Sequence, residues 1–292
     1  MRRIVLSLGV ALVVGCSSTP EPPPFNPKST VDSNLTKSVL APRAFTLAEG
    51  LSVGGRVARR TTIPGVDPIE TWFAVVGETD GHWRVECVSD SLQSLHATNA
   101  ETRALIIGCE VDKTSGEVTR AVVGKAGELA IPIELEDPLE ADPVPVESQE
   151  TLTLPELGEV PVLKRELAEY QETSYYGTEG ELEGVLLKFE GPESFAVSAK
   201  PAVTQFEVGG QQLDALAVTY DNGAVVKLTL EDPFLATFFP APGPGKLGLL
   251  GEVQPYYKSE VTDYASDAQP QLVWDAPAGA EEQQPPADGG GE

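Results

Sequence analysis

Sulfur and imidazole are scarce in this chain, with three cysteines, one methionine and two histidines among 292 residues. Neither His82 nor His96 stands in a Ser/His/Asp setting, so the usual general base near neutral pH has no partner set. A GxSxG nucleophile elbow is missing. Without a CxxC pair or a nearby His pair, the cysteines supply no zinc ligand set. Asp221-Asn222-Gly223 lacks the flanking ligands of a calcium loop. Positive charge is scarce too. Against 45 Asp and Glu stand only 20 Lys and Arg, for a net charge of −25. That balance excludes a nucleic-acid footprint and sets the body off from an anionic membrane. Solubility is its plain meaning, with basic partners or cations as the alternative. Long apolar runs are also absent. The longest, residues 4–14, falls short of the roughly 20 residues a membrane span needs. These absences predict no enzyme, no cofactor and no metal. A hydrolase stays open as an alternative that would need a cleft joining a histidine to an acid and a hydroxyl.

What is present begins at the amino terminus. Arg2 and Arg3 precede the apolar run 4–14, and Val13-Val14-Gly15-Cys16 closes it. The four residues resemble the lipobox of bacterial lipoproteins, with Val13 where Leu is usual. The resemblance implies cleavage after Gly15, diacylglycerol on Cys16, and Cys16 as the new terminus. Ser17 at the next position resembles outer-membrane sorting. Cleavage removes Arg2 and Arg3 and leaves the mature chain more acidic still. Each buried CH₂ of the lipid contributes about 0.8 kcal/mol, and two or more chains hold stably. A secretory signal with an incidental cysteine is the plain alternative.

Cys87 and Cys109 are the remaining pair. Trp83, Val85 and Cys87 share one face of a strand, and so do Leu105, Ile107 and Cys109. Adjacent antiparallel strands predict a disulfide between them, worth about 3 kcal/mol in the chain-entropy model. Two buried free thiols are the alternative.

Residues 16–48 are polar and proline-rich and read as a tether. Extended at about 3 Å per residue, such a tether reaches on the order of 90 Å. Residues 49–265 alternate with period two between turn signals, the mark of antiparallel β structure. Hairpins are predicted from 71–76 to 82–88, from 103–111 to 117–123, and from 213–220 to 224–230. The last turns at Asp221-Asn222-Gly223, a strong hairpin signal. The expected fold is mainly β, an antiparallel curved sheet forming a half-barrel or barrel, with one or two short helices and disordered termini. Residues 137–161, rich in proline and acid, are a surface loop or a boundary between two β halves. Residues 163–172 contain strong helix formers and predict a helix, with a strand as the alternative. Residues 266–292 read as an acidic disordered tail. No internal repeat is evident.

Gly243-Pro244-Gly245-Lys246-Leu247-Gly248 matches GxGxxG in letters, but prolines crowd its approach and a strand pattern follows it. A dinucleotide loop must follow a strand and open a helix, so this is a surface loop. The texture of 55–136, from Gly55 through Trp72-Phe73-Ala74-Val75-Val76-Gly77 to Ile131-Pro132-Ile133, and later Phe206-Glu207-Val208-Gly209-Gly210 and Asp232-Pro233-Phe234, resembles a group of uncharacterised secreted bacterial lipoproteins. The resemblance implies the curved half-barrel of periplasmic lipoprotein carriers, whose concave face holds acyl chains. The chain departs from those carriers in its own lipid anchor and its proline- and acid-rich insert.

One apolar segment bears on function. Asp232 would cap a short helix, Pro233 suits its first turn, and Pro240 would end it. Phe234 and Phe238 would share one side, Leu235 and Phe239 another. Apolar on both sides, the helix is either a lid over a hydrophobic groove or a plug in the core. Together these readings predict a non-enzymatic lipoprotein of the outer membrane, held by Cys16, whose β domain binds an acyl chain, a lipid or an envelope protein. A purely structural or assembly role is the alternative.

Overall fold

A computed structural model describes residues 45, 47, 50–88, 105–133, 135, 143–230 and 232–275. Eleven strands form one sheet and five form another, every neighbouring pair antiparallel. The larger sheet runs, in spatial order, β12 (Ala202–Val208), β13 (Gln211–Thr219), β14 (Val225–Thr229), β15 (Gly248–Gln254), β16 (Tyr257–Ala265), β1 (Arg56–Thr62), β2 (Ile69–Thr79), β3 (His82–Val88), β4 (Leu105–Asp112), β5 (Val118–Lys125) and β6 (Ile131–Ile133). The smaller runs β11 (Phe195–Ala196), β10 (Leu186–Glu190), β9 (Glu172–Gly177), β8 (Gly158–Leu167) and β7 (Val146–Leu154). Neither sheet closes on itself, because the end strands do not pair. Among the described residues no helix is long and apolar enough to cross a membrane.

The three predicted hairpins are β2–β3, β4–β5 and β13–β14. The last turns where expected: Gly223 takes φ +86°, its N–H reaches Tyr220 O, and Asn222 Oδ1 accepts from Ala224 N. Four bulges, at Ala58/Arg59, Val75/Gly77, Glu110/Val111 and Lys227/Leu228, bend the large sheet. The bending brings the inner faces of distant strands into one core. Val57, Val75, Val85, Ile107 and Val123 from one end meet Val208, Ala215, Leu250 and Val261 from the other.

That inner core is filled by the protein's own groups. The helix α1 (Pro233–Phe238) plugs it, with Phe234, Leu235, Phe238 and the following Phe239 all buried in the same cluster. Asp232 caps α1 by accepting from Leu235 N at 2.9 Å, and Pro233 occupies its first turn. Phe73 of β2 stacks on Phe238 at 5.2 Å and meets Phe239 edge-on. Phe45 and Leu47, within the stretch read as tether, pack on this core, and Phe45 N donates to Gly116 O.

The outer face of the large sheet is covered at both ends. At one end the small sheet lies on β13–β15, where Leu216, Val218, Leu228 and Leu249 point away from the inner core and meet Val160, Val162, Tyr175 and Leu187. At the other end the C-terminal segment covers β2–β5. There Leu272 and Trp274 pack on Val88, Ile106 and Val122. Double coverage explains why residues 105–109 are all buried, where one-sided burial would leave alternation.

Four expectations are corrected. Cys87 and Cys109 are free thiols, buried together on the inner face. Cys109 pairs with Val85 and Cys87 with Ile107, so the two cysteines are diagonal neighbours. Diagonal Cα atoms lie about 7–8 Å apart, whereas a disulfide bridges roughly 4.4–6.8 Å. Residues 163–167 belong to strand β8, not to a helix. It pairs with β7 on one side and β9 on the other, Arg165 stands opposite Glu147, Lys164 lies 3.6 Å from Glu150, and tertiary pairing overrides helix propensity. Within the acid- and proline-rich stretch 137–161, residues 146–154 form β7 and 158–161 begin β8, strands of the smaller sheet, so the loop alternative fails there. The segment 266–275, read as the start of a loose tail, is docked through Leu272 and Trp274. Cys16, His96 and residues 276–292 lie outside the described residues.

Candidate functional site

A cavity of about 120 Å³ opens where the two sheets meet. Leu186 of β10 and Phe195 of β11 form the small-sheet wall. Tyr220, Val226, Leu228 and Leu249 form the other, and Ala241 and Pro242 close one side. The alternation of β14 and β15 directs these residues outward, toward the small sheet. The loop 241–247 ends where β15 begins. It holds the GxGxxG-like letters, and with no helix following it takes up no dinucleotide role.

Polar groups hold the walls in place. Tyr220 Oη donates to Leu186 O at 2.9 Å and so ties the sheets together. Phe195 meets the Tyr220 ring edge-on at 5.0 Å and stacks on Phe189 at 5.4 Å. Burial, and then the nearby Glu252 carboxylate, push the Tyr220 hydroxyl well above the usual phenol range. Glu252 and Gln254 are the polar residues at the rim. Gln254 Nε2 donates to Glu252 at 2.6 Å, and Tyr257 also hydrogen-bonds to Glu252. Tyr257 is raised in turn by burial first and by Glu252 second.

The lining contains no histidine, cysteine or serine, so the Ser–His and Cys–His pairs cannot be assembled from it. The walls are mostly apolar, with the Glu252 carboxylate at the edge. Size narrows what fits. Drug-sized ligands occupy roughly 300–1,000 Å³, whereas an apolar cavity of about 150 Å³ accepts benzene. One ring or one branched side chain matches the space.

The predicted site residues are not brought together here. Phe234, Leu235, Phe238 and Phe239 lie in the inner core, on the opposite face of the sheet. Burial, then the neighbouring Glu86, push the Cys87 thiol up to about 12. Burial, then Cys87, also raise Cys109. Both therefore stay protonated and unreactive near neutral pH. His82 lies at a turn, with Nδ1 at 2.9 Å from Asp80 O and Nε2 at 4.0 Å from Asp112. Among the described residues no cluster of His, Cys, Asp and Glu is placed to hold a metal.

Sequence reasoning missed the cavity walls and also Glu86. Signals for both exist. Both alternating positions of β13 are apolar, with Ala215 buried inward and Leu216 outward, which announces a second covering layer. Glu86 stands alone as an acid between Val85 and Cys87, yet it is fully buried. In comparison with known proteins, no family model, no curated protein and no solved structure matches the chain.

Proposed function

We propose that this protein is a non-enzymatic lipoprotein of the cell envelope, held by lipid on Cys16, whose β domain binds a partner protein. The partner places one apolar side chain in the inter-sheet cavity. The cavity carries this reading: its walls are apolar, its size suits a single anchor side chain, and an acidic group sits at its rim. Buried apolar anchors of this kind dominate the energetics of protein interfaces. The filled inner face argues against the alternative of an acyl chain held as in lipoprotein carriers. The motif at Val13-Val14-Gly15-Cys16 supports the anchor, and the Ser17 that follows supports the outer membrane.

The test is a cavity-filling variant. Val226→Phe puts a ring into the space without touching the inner core. Extracted from native membranes in detergent, the unaltered protein is expected to bring down one partner in constant ratio. The variant, with an unchanged thermal melt, is expected to lose it. A partner retained by the folded variant refutes the cavity as the site. Acyl chains co-purifying with the domain would instead support a lipid-binding role.

A further inference from the structure

The outer face of β2–β5 is built as a peptide site, and the C-terminal segment occupies it. At its centre Glu86 is fully buried and accepts three hydrogen bonds from this segment: Gln271 N at 2.8 Å, Leu272 N at 3.0 Å and Trp274 Nε1 at 2.9 Å. A buried carboxylate that takes two successive main-chain amides and one indole reads an extended chain carrying tryptophan. The slot for that indole exists because residue 108 is glycine. A Cβ there would lie 2.6 Å from Trp274 Cζ2. The rim reads the next residue: Arg84 and Arg120 both bond Asp275, at 3.1 and 3.2 Å, and Arg120 also donates to Trp274 O. Main-chain pairing adds register, with Ala130 N to Val273 O and Val273 N to Glu128 O.

None of these contacts depends on which copy supplies the segment. Its covalent link to β16 is the short stretch 266–270, which is mostly exposed and is fastened by one main-chain bond, Ala268 N to Gly54 O. Exchange of an identical element between copies costs little, because every contact is remade. On the proposed Cys16 anchor, copies held in one membrane plane also meet at a raised effective concentration. We propose that this face is an interaction surface for a second copy of the chain, whose residues 271–275 dock in trans to give segment-exchanged dimers. The inter-sheet cavity plays no part in it.

The experiment mixes full-length protein labelled with ¹⁴N and with ¹⁵N, carrying a photo-crosslinking residue at the exposed Val273 position. After incubation on vesicles and illumination, mass spectrometry reads crosslinks between 271–275 and 127–130. Crosslinks pairing ¹⁴N with ¹⁵N peptides are expected, and Trp274→Ala should cut them about tenfold or more. Single-isotope crosslinks alone would overturn the proposal. If Trp274→Ala does not fold, a free Gln269–Asp275 peptide added to unaltered protein is the second arm. It should suppress mixed-isotope crosslinks, and undiminished mixed crosslinks at saturating peptide would overturn the assignment of the groove.

Discussion

Single residues set the pH range over which this fold holds. The Cys87 thiol rises from an ordinary value of 9.0 to about 12 on folding, and Tyr175 rises from 10.0 to about 12. A raised folded value stabilises fully below the unfolded value and is lost as pH climbs through the folded one. Urea unfolding over a pH series should therefore show stability falling from about pH 9 upward and continuing through about pH 12. A flat profile across that window would mean that these groups are wet in the native state. Asp112 acts on the acid side. The Ser115 and Thr114 main-chain amides hold its carboxyl below the usual range, so its contribution is lost as pH falls below the ordinary value. Glu86 gives the sharpest substitution. Glu86→Ala orphans two amides and an indole N–H, and each unsatisfied buried donor costs about 1–3 kcal/mol. Chemical denaturation should show a loss of about 3 kcal/mol or more, with Trp274 fluorescence moving to an exposed spectrum.

At the scale of elements, the sequence is legible where local chemistry decides and opaque where neighbours do. Three hairpins stand where alternation and turn residues put them, and α1 begins at Asp232 and Pro233 as their chemistry requires. Asp232→Ala should cost about 1 kcal/mol by removing the cap, whereas Phe238→Ala should cost about 3–5 kcal/mol by opening the inner core. Thermal melts of the two variants check that ordering. Strand β8 shows the opposite case. Its Lys-Arg-Glu-Leu letters favour a helix in isolation, and only pairing with β7 and β9 holds them extended. The segment 271–275 holds only three apolar residues, Leu272, Val273 and Trp274, in a stretch otherwise rich in Ala, Pro, Gln and acid. It docks because Glu86, 185 residues earlier, supplies its acceptor. The cysteine pair fails in a related way. Both side chains face inward as alternation says, but the register that sets them one step apart is fixed by pairing and not by local letters.

The described residues form a curled eleven-stranded sheet, its inner face filled and its outer face covered by the five-stranded sheet and by the C-terminal segment. Four bulges produce the curl; Gly77 marks one of them, as a glycine inside a strand often does, and the residues named at the other three carry no such sign. The charge of −25 and the lipobox-like motif are legible in the sequence, and so is a mainly antiparallel β body. The cavity between the sheets is not, because it exists only once two layers separated in sequence are stacked. At this scale the proposed anchor also has a consequence. Cys16→Ser should move the protein from the membrane fraction to the soluble periplasmic fraction, because an acidic body gives an anionic bilayer nothing to hold. The most direct test of partner binding places a photo-crosslinking residue at Pro242, on the cavity wall, and in a second protein at Thr119 on β5. Illuminated in native membranes, the Pro242 protein should yield one protein adduct, lost when Val226→Phe is added, while Thr119 yields none. Equal adducts from both positions, or adducts to lipid alone at Pro242, would contradict partner binding at the cavity.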